Sequence, residues 1–236
     1  MVLLVKKPQK PIILLGFPGF GLVGTIATQY IIEHLEMQEI GKILLEELPA
    51  TIAIHEGKIL NPLGIYYHEE KNIVIIHSIM PLSGLEWKVG EKLQLIFKEL
   101  NPWRIINLEG VGTNDQEEQE PQLYYFSTRD EINKEMQALA LQKLDNGILV
   151  GISPTLLLKA PELPLVNLFA STHAHLPDSN AAAALIRVID RYLNLTIDPQ
   201  PLVEQAKVFE DRLRTLLQQG TKTKKIADEK TLSYLG

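Results

Sequence analysis

No charged residue occurs from Pro11 to Ile32, and this stretch constrains the fold more than any other part of the chain. Its length would let a helix cross a bilayer. However, Gly16, Pro18, Gly19, Gly21 and Gly24 fall near its middle, where they would break a spanning helix. Nothing else in the chain could serve as a second span. The pattern instead predicts a buried strand over residues 12–15, a glycine loop over 16–21 and a helix over 22–35. Val23, Ile26, Ala27, Tyr30 and Ile31 follow the i, i+3, i+4 spacing of an amphipathic helix.

Apolar runs and helical periods keep alternating beyond this point. Strands are predicted over 51–55, 64–68 and 73–77. Ser83 and Glu86 have capping-box spacing. The helix they predict carries Val89, Leu93, Ile96, Phe97 and Leu100 on one face, and Asn101-Pro102 ends it. A strand over 105–108 runs into Gly110-Val111-Gly112, and the acidic, polar residues 114–122 predict an exposed loop. Next come a strand over 123–127 and a helix over 131–144 ended by Asn146-Gly147. Strands over 148–152 and 165–170 and an alanine-rich helix over 178–193 follow. This order predicts an α/β layered domain with a mainly parallel sheet, occupying residues 1–195.

Residues 196–236 then form a C-terminal helix and tail. Leu202, Ala206, Phe209, Leu213 and Leu216 are spaced as a short heptad seam. The seam serves either self-association or packing on the chain's own domain. After Gly220, a polar and charged segment leads to Leu232-Ser233-Tyr234-Leu235-Gly236. An aromatic and leucines beyond a polar tether point to something that receives them.

Composition narrows the function classes. Of the 236 residues, 45% are hydrophobic and 22% charged, which is apolar enough to close a core and too apolar for disorder. The 23 basic and 29 acidic residues leave a net charge of −6 with no basic block, which argues against nucleic-acid binding. The absence of cysteine excludes a disulfide framework, cysteine-ligated zinc, iron–sulfur clusters and a cysteine nucleophile. Lys6 and Lys7 follow the first apolar run instead of preceding it, the reverse of a secretory signal. The expectation is a cytoplasmic protein with no membrane partner.

No set of residues stands out as catalytic or metal-binding, and no cofactor is assigned. Gly19-Phe20-Gly21-Leu22-Val23-Gly24 matches the G-x-G-x-x-G spacing of a dinucleotide site. Against that reading, Gly16-Phe17-Pro18 intervene after the strand, and Pro18 has no N–H for a phosphate. The alternative is a tight loop that packs strand and helix closely. His173, His175 and Asp178 could be metal ligands, but Asp178 or Ser179 is better read as a helix cap. Gly151-Ile152-Ser153 lacks the second glycine of a nucleophile elbow. Glu46-Glu47 and Glu69-Glu70 would point to opposite strand faces, so neither pair makes an acid/base dyad.

Four segments carry a family resemblance. Residues Ile13 to Gly24, with Gly16, Pro18, Gly19, Gly21 and Gly24, resemble the opening of the proteasome assembly chaperone family. The match is closest to the archaeal homologues of the second eukaryotic proteasome assembly chaperone. Leu48-Pro49-Ala50 with His55-Glu56-Gly57, Gly110-Val111-Gly112-Thr113, and Pro177-Asp178 before Ala181-Ala182-Ala183 match in order, covering about residues 10–195. The resemblance implies a three-layer α/β/α sandwich akin to the purine nucleoside phosphorylase fold, without its catalytic residues. It also implies a non-enzymatic homo-oligomer whose partner is the core proteasome.

Members of this family can carry a C-terminal hydrophobic–tyrosine–any motif that enters pockets between proteasome α subunits, its carboxylate pairing with a lysine. The tail candidates here are Leu232, Tyr234, Leu235 and Gly236. Tyr234 stands third from last instead of next to last. Either the tail docks in a shifted register, or Leu235 takes the tyrosine position. Several tails on one oligomer would raise avidity. Two other functions remain open: nucleotide or small-molecule binding through the Gly16–Gly24 loop, and an oligomeric scaffold for another small protein. The scaffold would use the tail or the acidic loop at Glu117, Glu118 and Glu120.

Overall fold

A computed structural model describes residues 1–48, 52–55, 58–112, 120–172, 177–206 and 208. The opening stretch folds as its composition dictates. Strand β2 (Ile12–Gly16) is followed by a 3-10 turn (Phe20–Leu22) and helix α1 (Val23–His34). In β2, Ile12 and Leu14 face one hydrophobic layer while Ile13 and Leu15 face the other. That is the period of two of a strand covered on both faces. Burying each such side chain contributes about 1.5–3 kcal/mol.

The other strands are β1 (Val2–Leu4), β3 (Gln38–Ile43), β4 (Ala53–His55), β5 (Lys58–Leu60), β6 (Leu63–His68) and β7 (Ile73–Ser78). Strands β8 (Arg104–Gly112), β9 (Leu123–Phe126), β10 (Gln142–Lys143) and β11 (Leu165–Thr172) follow. A nine-stranded sheet has the order β1-β3-β6-β7-β2-β8-β11-β9-β10. Its centre, β7-β2-β8-β11, is parallel. Antiparallel β6, β3 and β1 extend one side, and β9 pairs antiparallel with β11 on the other.

Helix α1, α3 (Asp130–Ala138), α5 (Ser179–Leu193) and α6 (Gln200–Glu204) bury residues against one face. Helices α2 (Glu86–Leu100) and α4 (Ile152–Lys159) cover the other. The result is the expected α/β class, with helices on both sides of a large central sheet. Among the described residues, no helix is long and apolar enough to cross a membrane.

Several local expectations give way to competing physics. Residues 148–152 do not form a strand. Ile148 and Val150 are 91% and 73% exposed, and α4 begins at Ile152. Pro154 sits in the first turn of α4, where its missing N–H costs no hydrogen bond; in a central strand it would remove one. Helix α3 stops at Ala138, not 144. Ala140 then takes a φ of 60°, Leu141 is buried, and β10 pairs with β9.

Ser83 caps nothing. Helix α2 begins at Glu86 after Leu85, with no side-chain cap, because Gly84 at φ 82° turns the chain between the two capping-box residues. The strand expected at 51–55 is Ala53–His55, paired among the described residues with β5 in a two-stranded ribbon apart from the large sheet. Strands β1 and β3 are additions to the elements read from the sequence. Of the polar segment 114–122, residues 114–119 lie outside the described residues, while Glu120 and Gln122 are exposed.

Candidate functional site

The parallel strands β2, β7 and β8 deliver their C-terminal ends to one edge of the sheet, where open α/β sheets bind ligands. The loop after β2 lies there. Its glycines work mainly as packing positions. A Cβ on Gly16 would overlap the Thr28 side chain, and one on Gly24 would overlap the Leu108 carbonyl. Gly21 has φ 60°, and a Cβ there would overlap Thr172. The Gly21 carbonyl accepts the Asp178 N–H at 2.9 Å. Gly16, Gly21 and Gly24 therefore seat the loop against α1, β8 and β11, as the close-packing reading expects. Gly19 differs: a Cβ there meets nothing within 4 Å. Pro18 and Gly19 both line a cavity of about 290 Å³.

That cavity lies between three loops. Phe17, Pro18, Gly19 and Phe20 come from the β2 loop, Pro81, Leu82 and Ser83 from the approach to α2, Glu86 from its first turn, and Glu109 and Gly110 from β8. Val150, Gly151 and Ile152 close it at the start of α4. Beneath it runs a polar network. The Ser153 hydroxyl donates to Glu109 Oε1 at 2.6 Å. Asn107 Nδ2 donates to Ser153 Oγ at 2.7 Å and to Asn167 Oδ1 at 3.2 Å. Asn107 and Asn167 are fully buried, on the sheet face covered by α4. Burial pushes the Glu109 carboxyl above the usual carboxylate range, against hydrogen bonds from Ser153 and Asn107 that favour its ionised form.

Sequence reasoning passed over Glu109 and Ser153 as partners because they stand 44 residues apart. The available signal was a lone carboxylate inside the otherwise uncharged run from Ile105 to Gly112.

Asp178 is the N-cap of α5, as the sequence indicates. Its Oδ1 accepts the Ala181 N–H at 2.9 Å, and its Oδ2 accepts the Thr172 hydroxyl at 2.7 Å. His173 and His175 lie outside the described residues. Among the described residues, no group of three or more histidines, aspartates and glutamates could hold a metal ion. The adjacent carboxylates are surface groups: Glu47 pairs with Lys88 at 2.5 Å and Glu69 with Lys6 at 3.0 Å.

Leu202 is buried in the same core layer as α1 and α5. Phe209, Leu213 and Leu216, and the tail residues Leu232, Tyr234, Leu235 and Gly236, lie outside the described residues. One further buried group is His77, beside the glycine loop. It pairs with Gly16 across β7 and β2, and its Nδ1 lies 2.9 Å from the Thr28 hydroxyl. Burial lowers its pKa to about 3.

A central sheet with helices on both faces, entered by a packed glycine loop, defines the class. The chain belongs to the PAC2 family, which matches residues 13–217. An uncharacterized protein of Methanocaldococcus jannaschii is 26% identical over 91% of this chain and 88% of its own length. Among solved structures, Pyrococcus furiosus PbaA, described as an archaeal homolog of proteasome-assembly chaperone, superposes with a TM-score of 0.84. It is 29% identical and covers 94% of this chain and 99% of its own. Pyrococcus furiosus PbaB, described as an archaeal proteasome activator, shares the fold with a TM-score of 0.74, at 22% identity over 92% of this chain and 98% of its own.

Proposed function

We propose that this protein is a non-enzymatic proteasome-binding factor, an assembly chaperone or activator, that works as a homo-oligomer and docks through its C-terminal segment. The observation that carries this reading is membership of the PAC2 family, together with a TM-score of 0.84 to PbaA over nearly the whole of both chains. The partner is the set of α subunits of the core particle. Leu232, Tyr234, Leu235 and Gly236 are the docking residues. The polar tether before them gives reach, and repeated tails on one oligomer supply avidity to an individually weak plug. Phe209, Leu213 and Leu216 continue the apolar seam beyond Leu202 and contribute to self-association. Chemistry is no part of the reading, because binding by surface complementarity and tail insertion needs no nucleophile, base or metal.

The test is co-migration in gel filtration. The full chain is mixed with archaeal core proteasome and, separately, with free α subunits. A shared peak with either supports the reading, and separate elution from both overturns it.

A further inference from the structure

We propose that the cavity between the β2 loop, the start of α2 and the start of α4 binds a small organic ammonium ion, with Glu109 as its counter-charge. This inference does not rest on proteasome binding. The first observation is the cavity itself: about 290 Å³ at the C-terminal edge of the parallel strands, near the small end of ligand pockets. Its walls are largely apolar, with Phe17, Leu82 and Ile152 buried around it. Such walls suit the hydrocarbon body of a small ligand.

The second observation is the sign of the charge. Among the described residues, the lining holds two carboxylates, Glu86 and Glu109, and no Lys, Arg or His. Among the described residues, neither carboxylate takes part in an ion pair. The helix ends that border the cavity are already supplied with negative charge. Glu109 receives the Ser153 hydroxyl and backbone N–H in the first turn of α4, and Glu86 stands in the first turn of α2. An entering phosphate or carboxylate would therefore meet like charge.

The third observation is that Glu109 is held in place. Ser153 anchors it, Asn107 anchors Ser153, and Asn167 anchors Asn107. A carboxyl fixed this way, and among the described residues without a cation, offers a charge-assisted hydrogen bond to an N–H donor at no cost in reordering, and an ammonium beside it offsets the burial that pushes its pKa up. A primary ammonium on an apolar stem satisfies both parts of the site.

The structure also supplies a variant that blocks the cavity without straining the backbone. Gly19 has φ −148°, an extended conformation open to any residue, and space around it. The test is NMR titration of the full chain at constant pH with three probes of similar size: 2-phenylethylamine, 2-phenylethanol and 3-phenylpropionate. The expected result is saturable shifts of the Glu109, Gly151 and Ser153 amides with the amine. Its affinity should exceed that of the alcohol at least tenfold, with no saturation by the acid. Glu109→Gln should lower amine affinity tenfold or more, and Gly19→Phe should abolish the shifts while melting as the parent does. Equal binding of amine and alcohol would overturn the proposal. So would no saturation by any probe, or amine binding unchanged in both variants. If Glu109→Gln fails to fold, the probe comparison and Gly19→Phe decide alone. Proteasome co-migration is read separately, so either proposal can fail without the other.

Discussion

The backbone N–H of Asp178 donates to the carbonyl of Gly21 at 2.9 Å, joining the glycine loop after β2 to the first turn of α5. The same aspartate caps α5 through Oδ1 and holds the Thr172 hydroxyl through Oδ2. One residue thus ties together two segments that carry the family resemblance: its backbone N–H holds the glycine loop, and its side chain holds the helix start and the end of β11. The loop is a structural joint of the sheet edge, and its shape depends on three close approaches.

Removing that cap should be costly. Asp178→Ala loses the Ala181 and Thr172 hydrogen bonds together, and a decrease of about 2 kcal/mol in unfolding free energy is expected, near the top of the range for N-caps. Urea denaturation followed by circular dichroism reads it. A change inside 0.5 kcal/mol would mean that the cap is not formed in solution.

The glycines should separate into two classes. A Cβ at Gly24 runs into the Leu108 backbone, which cannot swing aside, so Gly24→Ala should cost about 1–3 kcal/mol. Gly19→Ala meets open space and should change stability by less than about 0.5 kcal/mol. Melting temperatures of the two variants, compared side by side, check this ordering. Equal effects would contradict the packing assigned to the loop.

Arg104 is 4% exposed at the start of β8, and both carboxylate oxygens of Glu135 accept from its Nη2, at 2.9 and 3.0 Å. The Tyr192 hydroxyl donates to the same carboxylate, so α3, α5 and β8 meet there. Glu135→Ala leaves a guanidinium buried without its partner. A loss of roughly 3 kcal/mol is expected, the low end for a broken buried pair because Glu135 keeps some contact with water. The urea midpoint measures it, and an unchanged midpoint would show that water replaces the carboxylate.

His77 predicts a pH dependence with a definite sign. Folding lowers its pKa from 6.5 to about 3, so between those values the unfolded chain binds a proton that the folded chain excludes. Its contribution to stability is complete above pH 6.5 and falls as the pH drops toward 3, by at most about 1.4 kcal/mol per unit. Burial of Glu109 acts in the opposite direction, since its raised pKa favours the folded state as the pH falls. The readout is therefore a difference. His77→Gln should lose less stability than the parent between pH 6.5 and 4.5, measured by urea denaturation at each pH. Parallel profiles would show that His77 is accessible to protons in the folded state.

Legibility of the fold followed the strength of the local signal. The β2 loop–α1 unit was readable because four consecutive apolar residues, a glycine cluster and a 3.6-residue period point the same way. The Asp178 cap was readable because helix starts are local. Strand β1 was not, since Val2–Leu4 owes its structure to pairing with β3, a contact between residues about 40 apart. The apolar run at 148–152 misled because composition cannot report exposure, and Pro154 was the clue to a helix start. The glycine motif was legible as packing, whereas the Glu109–Ser153 pair needs the fold to bring its members together.

The most direct measurement is the affinity of the full chain for immobilised archaeal core proteasome, compared with a chain ending at Lys230 and with a Tyr234→Ala, Leu235→Ala double variant. Surface plasmon resonance with all three proteins in the same oligomeric state should show binding by the full chain, a loss of tenfold or more in the double variant, and none by the truncated chain. Identical affinities for the three would contradict docking through the C-terminal segment.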